Sequence, residues 1–156
     1  MVISFLQQRN PPILPILQEI ERPQEKDEKY MIDDNDCYYY KEFKGFEHKN
    51  TESLGDLLFY FFDYFCRFDF QTNVVSIRVG KPLKKSEKVF KISEYKRDFF
   101  CLAIEDPFNV SSSVGSNIYY PKFVKIINQF QRAFDCLHSG KGLEHVIFGE
   151  NFEEIK

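Results

Sequence analysis

Residues 53–67 read SLGDLLFYFFDYFCR and decide the fold of this chain. Apolar side chains recur here at spacings of three and four, at positions 54, 57, 58, 61, 62 and 65. That period gathers them on one broad face of a helix, which must be buried against another element. Either Thr51 or Ser53 is expected to cap the helix, with Glu52 and Asp56 in its first turns, where the helix dipole favours anions. The stretch therefore predicts an amphipathic helix over residues 53–67.

A second helix of the same kind is predicted to begin at Pro121 or Lys122 and to end near Gly140. Its apolar face is formed by Phe123, Ile126, Ile127, Phe130, Ala133, Phe134 and Leu137. Because both helices carry an aromatic stripe, we expect them to pack on each other through those stripes. The signals from Lys141 onward are weak.

Shorter elements are predicted around these helices. Residues 37–40 (CYYY) and the β-branched run at residues 73–79 read as strands, and the apolar residues 99–104 (FFCLAI) as a buried segment. Residues 2–8 read as the last turns of a helix, which ends before two consecutive prolines. Residues 21–36 are acidic and are expected to form a solvated loop. The chain is therefore predicted to be mainly α-helical, of the α+β class, with a small β-element.

Composition limits the partners and the compartment. The 156 residues suit one domain, and 43% are hydrophobic and 17% aromatic, which favours a packed core. The net charge is −3, whereas a nucleic-acid binder that works alone is usually basic, so any RNA would be met through a local patch or another domain. Four cysteines without a CxxC pair favour a reducing, intracellular setting such as the cytosol or the nucleus. Among the intracellular compartments, the cytoplasm is expected before the nucleus or mitochondria. No apolar run reaches the ~18 residues of a membrane span, so no membrane partner is expected.

The usual signs of a self-contained enzyme are missing from the sequence. It has no GxGxxG motif and no Walker-type phosphate loop. The three histidines lack zinc spacing, and the acids at positions 33, 34 and 36 lack the glycine and distal glutamate of a calcium loop. A solvated acidic turn is favoured over a cation site there, and no catalytic or metal-binding residue is predicted in the chain.

A basic stretch begins where the second predicted strand ends. It consists of Arg78, Lys81, Lys84, Lys85, Lys88 and Lys91. The first four are candidate contacts to RNA phosphates, and such a patch would give salt-sensitive binding because each contact releases counterions. The alternative is a soluble surface loop over residues 81–91.

Residues 105–108 (EDPF) place two acids directly after the buried apolar segment, and a proline then fixes the turn. Carboxylates held at a rigid edge are good acceptors for the N–H donors of a nucleobase. The alternative is a capped turn whose acids accept hydrogen bonds from nearby backbone amides. Taken alone, these four residues favour the capped turn.

Three blocks, in order along the chain, resemble one family. They are FLQQRNPPILPILQ at residues 5–18; SLGDLL at 53–58 with FFDYF at 61–65, FDF at 68–70 and VVSIR at 74–78; and CLAIEDPFNVS at 101–111 with VG at 114–115. Together they are similar to the central domain of the template-independent RNA nucleotidyltransferases, which comprise terminal uridylyltransferases and cytoplasmic-type poly(A) polymerases. The second block resembles the core of the PAP-associated domain and the third its nucleotide recognition motif.

The resemblance implies a helical substrate-binding domain that lacks the catalytic palm. In the family, a palm domain holds Mg²⁺ or Mn²⁺ with three aspartates and transfers UMP or AMP from UTP or ATP to an RNA 3′ end. We expect that palm to lie upstream of Met1, and the isolated chain to be inactive. The implied segments are the end of a central-domain helix with a proline-rich turn (1–20), an acidic and aromatic connecting loop (21–50), the PAP-associated domain (51–140) and a tail (141–156).

By the same resemblance, Asp106 matches the family acid that faces the base, and Asn109 a nearby polar position of the pocket. Ser112 stands where uridylyltransferases place a histidine that favours UTP, Ser113 where asparagine is common, and Ser116 where arginine is frequent. Serine discriminates poorly between bases, so UTP and ATP both stay open. These departures also leave open a non-catalytic RNA- or protein-binding module derived from the family.

Overall fold

The structure is a computed structural model that describes residues 1–22, 30–42, 45–88 and 101–149. Within them the α-helices are α1 (Val2–Gln7), α2 (Leu54–Arg67), α3 (Tyr120–His138) and α4 (Leu143–Phe148). Strand β1 (Met31–Ile32) pairs antiparallel with β2 (Asn35–Asp36), and β3 (Asn73–Val74) with β4 (Leu83–Lys84), which runs into a 3-10 turn at Lys85–Glu87. The mixture of helices with small sheets is the one predicted.

The chain divides into two compact units that each combine separate parts of the sequence. One contains Met1–Thr51 and Asp69–Tyr120, and the other contains Glu52–Phe68 and Pro121–Lys156. The four consecutive segments expected from the sequence stay predictions.

Helix α2 begins where the sequence indicates. The Ser53 side chain accepts a hydrogen bond from the Asp56 backbone N–H at 3.1 Å, and the Asp56 carboxylate accepts one from the Ser53 N–H at 3.2 Å. This capping box satisfies two backbone donors that a helix N-terminus otherwise leaves unpaired. Of the two predicted caps, Ser53 is therefore the one used.

Aromatic side chains join α2 to α3 inside the second unit. The Phe130 ring centroid lies 5.7 Å from that of Phe61, 5.6 Å from Phe62 and 6.3 Å from Phe65. Offset and edge-on ring pairs at such distances add favourable electrostatics to the burial of apolar area. The predicted packing of the two helices through their aromatic faces is confirmed.

The second unit also contains α4, which the sequence did not predict. The Arg132 guanidinium donates hydrogen bonds to the carbonyls of His145 at 2.9 Å and Val146 at 2.7 Å. These bonds tie α4 to α3. A helix of six residues has a weak sequence signal and depends on such tertiary contacts.

Helix α1 packs into the first unit by polar as well as apolar contacts. Phe5 is buried, and the Ser4 hydroxyl donates to the carbonyl of Ser76 at 3.2 Å. The Gln7 amide donates to the carbonyls of Pro15 at 3.1 Å and Ile77 at 3.0 Å. The predicted N-terminal helix is confirmed, and its polar side chains bind the carbonyls of Ser76 and Ile77 inside the predicted second strand.

The predicted strand at residues 37–40 is wrong. The hairpin lies earlier, inside the predicted acidic loop, because Asp33 and Asp34 adopt positive φ values of 47° and 62° and form its turn. Short polar side chains tolerate that conformation better than most residues. Tyr38 is buried, and its hydroxyl donates to the Ile20 carbonyl at 2.8 Å.

The predicted strand at residues 73–79 is too long, and the predicted loop at residues 81–91 hides a strand. Regular pairing covers only β3, followed by one bridge at Val75. Beyond that bridge, the Ser76 hydroxyl accepts a hydrogen bond from the backbone N–H of Val79 at 3.4 Å. This local turn takes the place of further strand pairing. Strand β4 was read as a loop because of its lysines, which are nevertheless acceptable on the solvent-facing edge of a sheet. The part of that loop from residue 89 onward lies outside the described residues.

Candidate functional site

Residues 101–116 are held in place by backbone hydrogen bonds on two sides. The Val75 N–H donates to the Ala103 carbonyl and the Glu105 N–H to the Val75 carbonyl, both at 2.9 Å. On the other side, the Val114 N–H donates to the Ile104 carbonyl at 2.9 Å. Residues 99–100 of the predicted buried segment lie outside the described residues, while Leu102 and Ala103 are buried as expected. The EDPF motif thus begins where residues 104 and 105 bridge to Val75 on one side and to Ser113 on the other.

Residues 106–112 form a closed loop that begins at Asp106 and ends at Ser112. Its Oδ1 accepts hydrogen bonds from the backbone N–H groups of Phe108 at 2.9 Å and Asn109 at 2.8 Å. The Asp106 N–H donates to the Ser112 carbonyl at 3.3 Å. The capped turn that the four residues favour on their own is therefore present. No residue in the described part of the chain hydrogen-bonds Oδ2 of this partly exposed carboxylate.

Asn109 and Ser112 are both half-buried on the same loop. The Ser112 N–H donates to the Asn109 carbonyl at 2.8 Å, and Asn109 Oδ1 accepts from the Ser111 hydroxyl at 2.9 Å. These bonds fix the loop backbone and one end of the Asn109 amide. The loop therefore brings together Asp106, Asn109 and Ser112, three of the four predicted base-recognition residues.

Ser113 is placed differently from the other three. It is 5% exposed, and its hydroxyl oxygen accepts from the backbone N–H of Ile104 at 3.1 Å and of Gly115 at 3.3 Å. Its side chain is turned into the protein, where it accepts hydrogen bonds from residues on both sides of the Asp106–Ser112 loop.

The residue that sequence reasoning missed is Glu105. Its side chain is fully buried. One carboxylate oxygen accepts from the Ser76 hydroxyl and lies 3.5 Å from Arg78 Nε, while the other pairs with the Lys88 ammonium. A buried carboxylate is costly unless such partners compensate it. The available sequence signal was an acid directly after an apolar segment, read together with a cation at Arg78.

The basic residues that the structure describes have different partners. Arg78 and Lys88 face Glu105, whereas Lys84 Nζ donates to the Asn73 side-chain oxygen at 2.9 Å. The Lys85 amine lies 3.4 Å from the Cys101 carbonyl, and its burial lowers its pKa. Lys81 is exposed. Lys91 lies outside the described residues.

An aromatic contact joins the Asp106–Ser112 loop to Tyr39. The Tyr39 ring, 39% exposed, lies 6.1 Å from the Phe108 ring in a tilted arrangement, and Lys41 Nζ lies 5.7 Å from the Tyr39 centroid. Phe108 thereby ties the loop to the segment around Tyr39.

Two further findings concern metals and membranes. Across residues 1–22, 30–42, 45–88 and 101–149, no three His, Cys, Asp or Glu side chains are grouped so that they could hold a metal ion. None of the helices in that part of the chain is both long and apolar enough to cross a membrane.

The sequence matches known proteins over most of its length. Residues 53–112 match the family described as Cid1 family poly A polymerase. Poly(A) RNA polymerase cid11 of Schizosaccharomyces pombe is 33% identical over 150 residues, which cover 94% of this chain and 28% of that protein. Terminal uridylyltransferase 4 of Homo sapiens is 33% identical over 141 residues, covering 86% of this chain and 8% of that protein.

The fold matches solved structures of the same kind. A structure of mtPAP in complex with UTP is 30% identical with a TM-score of 0.70, covering 93% of this chain and 29% of that one. Cid1 in complex with the UTP analogue UMPNPP is 28% identical with a TM-score of 0.73, covering 88% of this chain and 42% of that one. The chain thus spans well under half the length of these relatives. The matched region and the shared fold agree: residues 53–112 match the Cid1 family of poly A polymerases, and the chain is related over most of its length to poly(A) RNA polymerases and terminal uridylyltransferases.

Proposed function

We propose that this chain supplies the base-recognition wall of an RNA 3′-terminal nucleotidyltransferase that adds UMP or AMP to RNA 3′ ends. The observation that carries the proposal is the closed loop from Asp106 to Ser112, which is called the recognition loop from here on. It presents three polar side chains from a backbone that is fixed by hydrogen bonds at both ends.

The state of the Asp106 carboxylate supports this role. Oδ1 is held by two backbone N–H groups, so the side chain has a single orientation, and Oδ2 stays available to accept from a base. Pre-organised acceptors lose little conformational entropy when they bind a ligand. Capping and base recognition are therefore compatible functions of one residue.

Asn109 and Ser112 complete the proposed wall. The Asn109 amide nitrogen is a donor, and the Ser112 hydroxyl is both donor and acceptor. The pair can therefore hydrogen-bond the base edge of either uracil or adenine. UTP and ATP accordingly both remain substrates of the proposal. Ser113 contributes by supporting the loop from inside.

The proposed RNA contacts are Arg78, Lys81, Lys84 and Lys85. Lys81 and Lys84 are both exposed, and Lys84 donates to the neutral Asn73 amide, so both side chains can reach a phosphate. Arg78 is 27% exposed and faces Glu105 through Nε, and its terminal guanidinium nitrogens are the atoms proposed to meet a phosphate. Lys85 is the weakest of the four because burial disfavours its charged form.

Metal chemistry belongs to the proposed palm domain outside these 156 residues. The described side chains do not fit a magnesium site, since no three of them are grouped as ligands. What this chain contributes is binding and orientation of the nucleotide, which raises the effective concentration of the reacting groups.

The proposal is tested by titrating the ¹⁵N-labelled chain with UTP, ATP, GTP and CTP and following its amide resonances. We expect shifts at positions 106, 109 and 112 with at least one nucleotide, and loss of those shifts in Asp106→Asn. A tailing assay with Mg²⁺, labelled RNA and each NTP accompanies it. We expect no tailing by the chain alone and tailing when a palm domain precedes it.

The outcomes separate the two functions. Nucleotide-induced shifts at the loop support the nucleotidyltransferase. RNA binding without any nucleotide binding points instead to a non-catalytic module, and robust tailing by the 156 residues alone contradicts the division of labour between this chain and a palm.

A further inference from the structure

The side chain of Glu105 is buried next to Asp106 and is bound by groups from two other parts of the chain. Ser76 and Arg78 follow the β3 strand, and Lys88 follows the 3-10 turn after β4. Its own backbone N–H is bonded to Val75. One carboxylate thus joins both sides of the β3–β4 hairpin to the start of the recognition loop.

The charges in this cluster are not arranged for stability alone. Two cations, 27% and 13% exposed, face one carboxylate that is fully buried. Burying an ion pair costs desolvation that its attraction only about balances, so an apolar side chain would serve the core as well. What an apolar side chain cannot do is fix direction, which a carboxylate does through several hydrogen bonds at once.

Direction matters at this position because Glu105 and Asp106 are consecutive. In an extended segment neighbouring side chains point to opposite faces, so Glu105 points inward when Asp106 points towards the loop. A rotation of the backbone that moved Asp106 would have to pull Glu105 from Ser76 and Lys88. The anchoring of one acid therefore sets the orientation of the next.

We propose that Glu105 is a positioning residue for base discrimination, acting through Asp106, with Ser76, Arg78 and Lys88 as its anchors. This inference rests on the proposed function of the loop. It assigns Lys88 to the support of the nucleotide pocket and gives Arg78 a second task beside any phosphate contact.

The test measures the dissociation constants of UTP, ATP, GTP and CTP for the chain and its variants by NMR titration. Each variant is first shown to be folded by circular dichroism. The selectivity ratio is the dissociation constant of the weakest-binding nucleotide divided by that of the tightest-binding one. In Glu105→Gln we expect this ratio to fall by about tenfold, since contacting residues couple by amounts of that order. Glu87→Gln is the matched control, because Glu87 is exposed and forms no described contact.

A second background separates positioning from plain loss of stability. If Glu105 acts through Asp106, then adding Glu105→Gln to Asp106→Asn changes the selectivity ratio no further. A purely structural role would weaken all four nucleotides by one factor in both backgrounds, and that result overturns the inference.

A milder variant covers the case in which Glu105→Gln does not fold. Lys88→Met removes one anchor and should lower the selectivity ratio in the same direction, with Lys125→Met on exposed α3 surface as its control. An unchanged ratio in Lys88→Met overturns the inference. Failure of the parent chain to bind, or equal binding of all four nucleotides, contradicts the proposed function itself and the inference falls with it.

Discussion

Gly115 lies so close to Leu102 that a Cβ atom on Gly115 would stand 2.1 Å from the Leu102 carbonyl oxygen. Leu102 is 3% exposed, and the next residue, Ala103, is fully buried and bonded to Val75. The backbone therefore has no room to withdraw. Close approach of two backbone segments, and not a special φ, is what requires glycine at this position.

Gly115→Ala should destabilise the first unit by about 1–3 kcal/mol, the usual cost of overpacking. Urea unfolding followed by circular dichroism measures the change. Gly55→Ala is the control. Among the described residues, a Cβ atom added at Gly55 would meet only the Ser53 hydroxyl, at an ordinary contact distance of 3.7 Å, and alanine is a better helix former than glycine. Equal midpoints for the parent chain and Gly115→Ala would contradict the close contact.

Ser53→Ala removes the side-chain cap of α2. We expect a loss of about 1 kcal/mol, typical of N-cap serines, because the Asp56 N–H loses its acceptor. The same unfolding measurement applies. Thr51→Ala lies just before the helix, without a described hydrogen bond, and should leave the midpoint unchanged; a matching loss there would show that the cap has been assigned to the wrong residue.

Phe130→Ala removes the ring that contacts three phenylalanines of α2. The second unit should lose about 2–4 kcal/mol, somewhat below the range for a fully buried Phe, since Phe130 is only half-buried. Thermal unfolding of the variant measures this. Asn128→Ala, on the exposed side of the same helix, serves as the comparison and should change stability little.

Thr72→Val should raise the pKa of Asp69 towards its ordinary value of 3.8. The Thr72 hydroxyl is the main cause of the lowered pKa, followed by backbone N–H donors of the same turn. A carboxyl with a depressed pKa in the folded state contributes stability above its ordinary pKa, and that contribution is lost as the pH falls through the folded value. The pKa of Asp69 is measured by following its carboxyl ¹³C chemical shift against pH, with Thr51→Val as the control. An unmoved titration midpoint would exclude the hydroxyl as the cause.

Ser112→His should raise the preference for UTP over ATP by several-fold, up to about the tenfold of one good contact. Relative dissociation constants from the nucleotide titration measure it. Ser116→His, at an exposed position of the same segment, is the comparison. If UTP does not gain on ATP, the assignment of Ser112 to the base-facing position is wrong.

The amphipathic helices could be predicted because their information is local and repeated. The Ser53 cap, the apolar period of α2 and the aromatic face of α3 are each written within one stretch of chain. The family resemblance was equally accessible, since it rests on consecutive residues such as EDPF. The family could therefore be predicted from the amino-acid sequence, while the role of the EDPF loop in base recognition stays a prediction.

The short strands were not predictable in the same way. Strands of two residues carry no measurable alternation, and their position depends on which partner is near. Residues 37–40 have strand-forming side chains, yet Tyr38 is used to bind the Ile20 carbonyl and the pairing lies at β1 and β2.

By itself, the sequence determined the two long helices, the family resemblance and the pair of acids at residues 105 and 106. Only the tertiary structure decided which acid does what. Asp106 accepts hydrogen bonds from two backbone N–H groups of its own loop, while Glu105 is buried among Ser76, Arg78 and Lys88. Those three partners are 17 to 29 residues away along the chain. No local pattern encodes a contact that exists only because burial brings distant charges together and makes them compensate each other.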